Sequence, residues 1–189
     1  MNEFEMYIKK VGDYHGHVCF GIAMGTKITL AAMHYLGLDP TVKNKNLIVY
    51  AEIDRCMTDA VQVISGCTLG HRTLKHVDYG KFAATFVNLT TGKAVRATIF
   101  ESCEIKGSPQ DVVEKMAALP DSEVVKLQEV KMSIAEVDLP GLPKKRESCS
   151  VCGERIMDGR AVIINQKTLC RACANGKYYS EIAKEGTLS

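Results

Sequence analysis

The chain has 189 residues, of which 46% are hydrophobic and 24% charged, as in a soluble globular protein. Its formal net charge is only +2, so composition indicates neither a nucleic-acid-binding nor a membrane protein. The first residues, MNEFEMYIKK, lack the apolar segment of a signal peptide, and the most apolar stretch, ITLAAMHYLGL, is too short to span a bilayer. We therefore expect a cytoplasmic protein whose eight cysteines serve metals or chemistry rather than disulfides.

The spacing of apolar residues predicts both helices and strands in the first three quarters of the chain. Predicted helices cover residues 3–13, 22–36, 54–64 and 109–119, and predicted strands cover 47–53, 81–89 and 94–102. Asp54 is placed to begin a helix, Gly37 and Gly66 to end helices, and Gly92 to form a tight turn. Residues 124–132, VVKLQEVKM, fit a helix or a strand equally well.

A linker is predicted at residues 138–148, DLPGLPKKRES, which hold two prolines, a glycine and a basic cluster. This segment divides the chain into a core domain, 1–143, and a small C-terminal domain, 144–189. The small domain carries nine Lys and Arg against five Asp and Glu, a net charge of +4.

The C-terminal domain contains two C-x-x-C pairs, CSVC at 149–152 and CRAC at 170–173, separated by seventeen residues. This spacing is typical of a structural zinc site, in which four thiolates complete a closed tetrahedron. The predicted ligands are Cys149, Cys152, Cys170 and Cys173. Gly153 after the first pair, a hairpin in RAVIINQKTL and a helix after the second pair together resemble a treble-clef zinc finger. The alternative is a pair of redox dithiols, or cysteines without a common role.

The role of this finger is less determined than its metal. A segment of this length lacks an adequate core, so metal binding should supply its folding energy. The basic KKR at 144–146 is compatible with nucleic acid, but aromatic residues are few, and we expect a docking or dimerisation surface instead.

A second set of metal-binding side chains occurs in YHGHVCFG at residues 14–21. His15, His17 and Cys19 stand at alternate positions, and in an extended segment alternate side chains point the same way. They are therefore placed to converge on one ion or one substrate. The alternative is a histidine-rich loop whose imidazoles cap helices or bond backbone carbonyls.

Two later stretches add polar and sulfur-containing residues to otherwise apolar surroundings. RCMTDAVQ at 55–62 places Cys56, Asp59 and Gln62 on one helix face, and SGCTLGHR at 65–72 places Cys67 in a turn near His71. Cys56 alone would be read as a small buried hydrophobe. Three stretches of ligand-type residues together favour a site.

The ordered motifs resemble the FmdE family, whose name assigns its members to formylmethanofuran dehydrogenase as one of the subunits. The resemblance rests on HGHVCFG, the E-x-x-R-C-x-x-D-A-x-Q run at 52–62, GCTLGH, and DYGKFAATF at 78–86. It implies an α+β core domain with a mixed sheet and packed helices, a metal-associated cluster in that core, and a homodimer. The four-cysteine finger resembles the treble clef found in some members.

The resemblance also implies which residues form the core site. The metal ligand candidates are His17, Cys19, Cys56 and Cys67, and the candidates for the surrounding positions are His15, Asp59, Gln62 and His71. A zinc or iron ion held by these imidazoles and thiolates would keep one position open. The catalytic candidates are Cys19, Cys56 and Asp59. Without a metal, His17 would instead activate Cys19 or Cys56 as a thiolate.

Three functions remain open on the sequence alone, and it is not decided whether the protein is an enzyme. The first is a metal-binding accessory subunit related to molybdenum or tungsten formylmethanofuran dehydrogenase, with the dehydrogenase subunits as partners. The second is an independent metal- or thiol-dependent enzyme acting on a small molecule. The third is a binding or regulatory module built on the zinc finger.

Overall fold

In the computed structural model, which describes residues 2–101, 103, 105 and 107–182, the chain divides into two units between residues 133 and 134. The sequence predicted this division ten residues later, between 143 and 144. Residues 134–143 belong to the second unit because they pack within it. In particular, the Val137 side chain lies in contact with Gly159. The proline-containing segment therefore starts inside the second unit rather than before it.

Two helices open the first unit and supply much of its core. Helix α1 spans Glu3–His15 and begins at Asn2, whose side chain and backbone exchange hydrogen bonds with Glu5. Helix α2 spans Phe20–Tyr35, and all twelve residues from Ile22 to Met33 are buried. A helix that is apolar on nearly every side is expected at the centre of a fold. Both predicted helices are confirmed, although α2 begins two residues earlier than predicted.

A five-stranded mixed sheet completes the first unit. Its strands β1–β5 are Leu47–Ala51, Leu74–His76, Ala83–Asn88, Ala94–Ile99 and Val125–Val130. They lie in the order β2-β1-β3-β4-β5, with β1 and β2 parallel and all other neighbours antiparallel. Helix α3, Met57–Ser65, connects β1 to β2, because parallel neighbours need a crossover connection.

The remaining elements of the first unit resolve what the sequence left open. Helix α4, Pro109–Ala118, is confirmed, and the undecided stretch is the end of a short helix α5, Asp121–Val124, followed by β5. The prediction that Asp54 begins α3 is wrong. The N–H groups of Thr58 and Asp59 bond the carbonyls of Arg55 and Cys56, so the helix starts after Cys56 and Asp54 stays outside it.

Two buried charges connect distant segments of this unit. Lys27 on α2 donates to the carbonyl oxygen of Leu119 at 2.8 Å and to the Asp121 carboxylate at 3.0 Å. Glu52, at the end of β1, accepts two hydrogen bonds from the guanidinium of Arg96 at 2.6 and 2.7 Å. Glu52 belongs to the motif that led to the family resemblance, and here it fixes the segment leading into α3.

The second unit is small and contains little apolar core. Its elements are a 3-10 helix Glu136–Asp138, strands β6–β9 at Arg146–Ser148, Arg155–Met157, Val162–Ile164 and Lys167–Leu169, and helix α6, Arg171–Asn175. Strands β6 and β7 form one hairpin and β8 and β9 another, which confirms the hairpin predicted over 160–169. The predicted helix ends after five residues, because Gly176 has a φ of 98°.

The helices of the described residues are too short or too polar to cross a membrane. Helix α2, the most apolar of them, has 16 residues, whereas a membrane-spanning helix needs roughly 20. This agrees with the expectation drawn from the stretch ITLAAMHYLGL, which lies inside α2.

Candidate metal centre

Three metal-binding side chains meet where α1 ends and α2 begins. His15 is the last residue of α1, and Cys19 is the N-cap of α2. Gly16 takes a φ of 93°, a left-handed conformation that glycine adopts without steric cost. One ligand atom each from His15, His17 and Cys19 lies within 4.8 Å of the others. The predicted convergence assumed an extended segment, whereas the structure achieves it with a turn between two helices.

Asp59 on α3 holds the imidazole ring of His15 in place. Its Oδ2 lies 2.7 Å from Nδ1 of His15, and its Oδ1 accepts a hydrogen bond from Nε2 of Gln62 at 3.3 Å. Because a carboxylate can only accept, Nδ1 carries a proton, and Nε2 of His15 is the atom that can bind a metal. Metal-bound histidines usually bond a carboxylate in this way. His15, which the sequence placed around the site, therefore lies among the ligand atoms.

The thiol of Cys56 approaches the same cluster from the start of α3. Cys56 is the N-cap of α3, and a Cβ built on Gly21 would lie 3.1 Å from the Cys56 Cβ and 3.8 Å from the Cys19 Sγ. Neither cysteine uses its side chain to cap its helix. Burial raises the pKa of the Cys56 thiol, and its hydrogen bond with Cys19 raises that pKa further. A bound cation would act in the opposite direction, because it favours the thiolate.

Two other residues of the predicted set lie apart from the cluster. The Cys67 thiol is buried among apolar side chains and donates to the Leu47 carbonyl oxygen at 3.4 Å. Burial raises its pKa, so it stays a protonated thiol, which is a poor metal ligand. His71 is exposed, with Nδ1 2.9 Å from the Thr68 hydroxyl oxygen. Within the described part of the first unit, the grouped ligand atoms belong to His15, His17 and Cys19.

Gly21 is a residue of this cluster that the sequence did not single out. It was expected to end a loop, but it lies inside α2, where its missing side chain makes room for the thiols of Cys19 and Cys56. The signal that could have found it is a glycine two positions after a cysteine at a helix start.

The four cysteines of the second unit form a separate cluster. The sulfur atoms of Cys149, Cys152, Cys170 and Cys173 all lie within 4.8 Å of one another. Those of Cys152 and Cys170 are 3.9 Å apart. Tetrahedral zinc with Zn–S bonds of about 2.3 Å places its sulfur ligands about 3.8 Å apart. The cage therefore fits a zinc ion.

The electrostatics of this cage also call for a cation. Backbone N–H groups, that of Cys152 foremost, lower the pKa of Cys149 to about 6. One of these donors is the N–H of Cys170, 3.3 Å from the Cys149 sulfur. In contrast, a hydrogen bond with Cys170, together with burial and the other thiols, raises the pKa of Cys173 to about 12. The first thiolate is thus favoured by the backbone, but four thiolates require a positive ion.

The core of the first unit matches the model of a known protein family. The family is described as "FmdE, Molybdenum formylmethanofuran dehydrogenase operon", and the match covers residues 14–137, which include the whole His–Cys cluster. This chain belongs to the FmdE family. The resemblance inferred from the sequence motifs is confirmed, and the FmdE match explains why these motifs occur in this order.

The second unit of this FmdE protein matches a different model. Residues 144–179 match the prokaryotic dksA/traR C4-type zinc finger. This match and the four grouped sulfur atoms together support the predicted structural zinc. Whether the finger is a treble clef stays a prediction.

Two known proteins resemble the FmdE chain over most of its length. One is the crystal structure of a tungsten formylmethanofuran dehydrogenase FmdE-like protein from Syntrophus aciditrophicus, which is 22% identical, with a TM-score of 0.63 over 94% of this chain and 95% of that one. This shared fold confirms the predicted α+β class. A curated Archaeoglobus fulgidus protein, described as a probable S-adenosyl-L-methionine-binding protein, is 30% identical over 207 residues. The match covers 91% of this chain but 53% of that relative, so the chain spans about half of its length.

Proposed function

We propose that this protein is a metal-binding accessory protein with two metal sites. The finger holds a structural zinc ion, and a second ion, zinc or iron, binds at the cluster of His15, His17, Cys19 and Cys56. The observation that carries the second site is the 2.7 Å contact between Asp59 and Nδ1 of His15. It leaves the other ring nitrogen deprotonated beside a second imidazole and a thiol. Mixed imidazole and thiolate donors suit zinc and iron.

The position of the cluster favours an ion with an open coordination site. His17 is exposed, whereas Cys19 and Cys56 are half-buried. Three grouped protein ligands leave a fourth tetrahedral position, as in zinc sites that bind water or a substrate. Such an ion supplies a Lewis acid at the edge of the fold. Cys56 lies near enough to serve as a further ligand or as a partner of the bound molecule.

The cysteine count supports an auxiliary role next to a larger redox enzyme. Four of the eight cysteines belong to the finger, and Cys67 is bonded inside the apolar core. The remaining cysteines, Cys19, Cys56 and Cys103, do not suffice for an iron–sulfur cluster held by four thiolates. Because the family is described by its molybdenum formylmethanofuran dehydrogenase operon, we propose that electron transfer belongs to other subunits of such an enzyme.

Metal content of protein purified without added metal tests the two sites separately. We expect about two metal ions per chain in the wild type and about one in each of two double variants, Cys170→Ser/Cys173→Ser and His15→Ala/His17→Ala. Circular dichroism checks that the first unit stays folded in both. A wild type with a single ion that disappears in the finger variant would show that the core site holds no metal.

Association with a dehydrogenase is tested by affinity purification of the tagged full-length protein from its own host. We expect dehydrogenase subunits in the eluate of the wild type, with an unrelated tagged protein as the control. A host genome without those subunits, or an eluate that lacks them under mild salt, would favour the independent small-molecule enzyme instead.

A further inference from the structure

A small cleft lies at the carboxyl ends of the two parallel strands. Ala51 ends β1 and His76 ends β2, and these residues pair in register. The space between these strand ends and α3 measures about 170 Å³. Open α/β sheets commonly bind ligands outside the carboxyl ends of parallel strands. The volume is below the roughly 300–1,000 Å³ of pockets for drug-sized molecules, so the cleft suits a molecule of a few carbon atoms.

Groups of opposite charge line two different walls of this cleft. Asp54 supplies a carboxylate from the segment before α3, and Lys75 supplies an ammonium group from β2, next to the imidazole of His76. Apolar surface between them comes from Leu69 and Leu74. A ligand that satisfies both walls needs a cationic end, an anionic end and a short apolar part.

The orientation of Gln62 adds an acceptor on the α3 wall. Its Nε2 donates to Asp59, and the Asp59 carboxylate can accept but not donate. The amide orientation is therefore fixed, and Oε1 is the atom that Gln62 offers to a donor in the cleft. Asp54 and Gln62 thus both present oxygen atoms to a cationic group. The cleft and the candidate metal centre share Gln62 but use different atoms of its amide.

We propose that this cleft binds a free α-amino acid with a short apolar side chain. The ligand's ammonium group is held by Asp54 and Oε1 of Gln62, and its carboxylate by Lys75 and His76. Its side chain rests on the leucine surface. A simple carboxylic acid would bring its anion to a cleft that also contains the Asp54 carboxylate, and a simple amine would make no use of the wall of Lys75 and His76. This binding site is additional to the metal sites.

Calorimetric titration of the full-length, metal-loaded protein with L-valine tests the proposal. Two analogues isolate the charges: 3-methylbutanoate lacks the ammonium group, and isobutylamine lacks the carboxylate. We expect saturable binding of L-valine and at least about tenfold weaker binding of each analogue, because each loses a charge-assisted hydrogen bond. No binding of L-valine, or equal binding of either analogue, overturns the proposal.

Two variants locate the binding site within the cleft. Asp54→Asn and Lys75→Gln should each weaken L-valine binding by about tenfold or more, and Glu114→Gln, which changes an exposed carboxylate on α4, should leave it unchanged. Wild-type affinity in both cleft variants overturns the assignment. Metal content is measured on the same samples. Loss of valine binding with metal retained, or absence of metal with valine still bound, separates failure of one proposal from failure of the other.

Discussion

At the scale of single residues, Asp59 has the most specific task in the candidate metal centre. Its two oxygen atoms contact different partners, Nδ1 of His15 at 2.7 Å and Nε2 of Gln62 at 3.3 Å. The first contact sets the tautomer of His15, and the second fixes the carboxylate itself. A histidine that can rotate or shift its proton binds metal less well, so the carboxylate contributes to affinity without touching the ion.

Replacing this carboxylate should weaken the core metal site selectively. For Asp59→Asn we expect about 10–100-fold lower metal affinity at the His–Cys cluster, because an amide can donate to Nδ1 and stabilise the wrong tautomer. Competition with a coloured chelator measures the affinity, with Glu114→Gln as a control at an exposed carboxylate. An unchanged affinity in Asp59→Asn would show that His15 is not a ligand, or that it needs no support.

At the scale of elements, the close contact between α2 and α3 sets the distance between the two cysteine-bearing helix starts. Gly25 is the point of contact: a Cβ there would lie 2.8 Å from the Met57 Cα and 3.0 Å from the Ala60 Cβ. The first of these atoms belongs to the backbone and cannot move aside alone. The helices therefore pack this closely only because α2 has glycine at this position, and Cys19 and Cys56 are neighbours as a result.

Adding one methyl group at this contact should destabilise the first unit. We expect Gly25→Ala to lower the free energy of unfolding by about 1–3 kcal/mol through overpacking, although alanine itself favours helix by about 1 kcal/mol. Urea denaturation followed by circular dichroism measures the change. Gly70→Ala is the matched control, since a Cβ at Gly70 meets nothing within 4 Å. A Gly25→Ala protein as stable as the wild type would contradict this contact.

At the scale of the whole molecule, the two units differ in what holds them together. The first has a large apolar core that includes most of α2 and β3. In the described part of the second, the buried apolar cluster consists of Cys149, Ile156 and Leu169, and one of these is a zinc ligand candidate. Three such residues cannot offset the entropy of ordering this unit, so the bound ion must contribute to its folding.

Removal of zinc should therefore unfold one unit and spare the other. With a strong chelator we expect amide hydrogens in residues 146–175 to lose protection, while those of α2 and β3 keep it. Hydrogen exchange with mass spectrometry reports both regions in one sample. Protection that persists in β6–β9 after zinc is gone would mean that the apolar contacts suffice.

The sequence by itself determined the parts of this protein that depend on local spacing. The paired cysteines predicted the finger, because two C-x-x-C turns around a hairpin bring four sulfur atoms to one point in almost any surrounding. Apolar periodicity predicted the helices and most strands, because burial of one face or all faces follows directly from the order of residues. The closeness of His15, His17 and Cys19 was also predictable, since only a few bonds separate them.

Only the tertiary structure decided which distant residues join them. Cys56 and Cys67 look equally suitable in sequence, each near a glycine or a helix end, yet one lies beside Cys19 and the other bonds the Leu47 carbonyl inside the core. The packing of α3 on α2 makes this choice, and it also brings Asp59 to His15. Such pairings depend on how whole elements pack against one another, and the spacing of residues along one element carries no information about that packing.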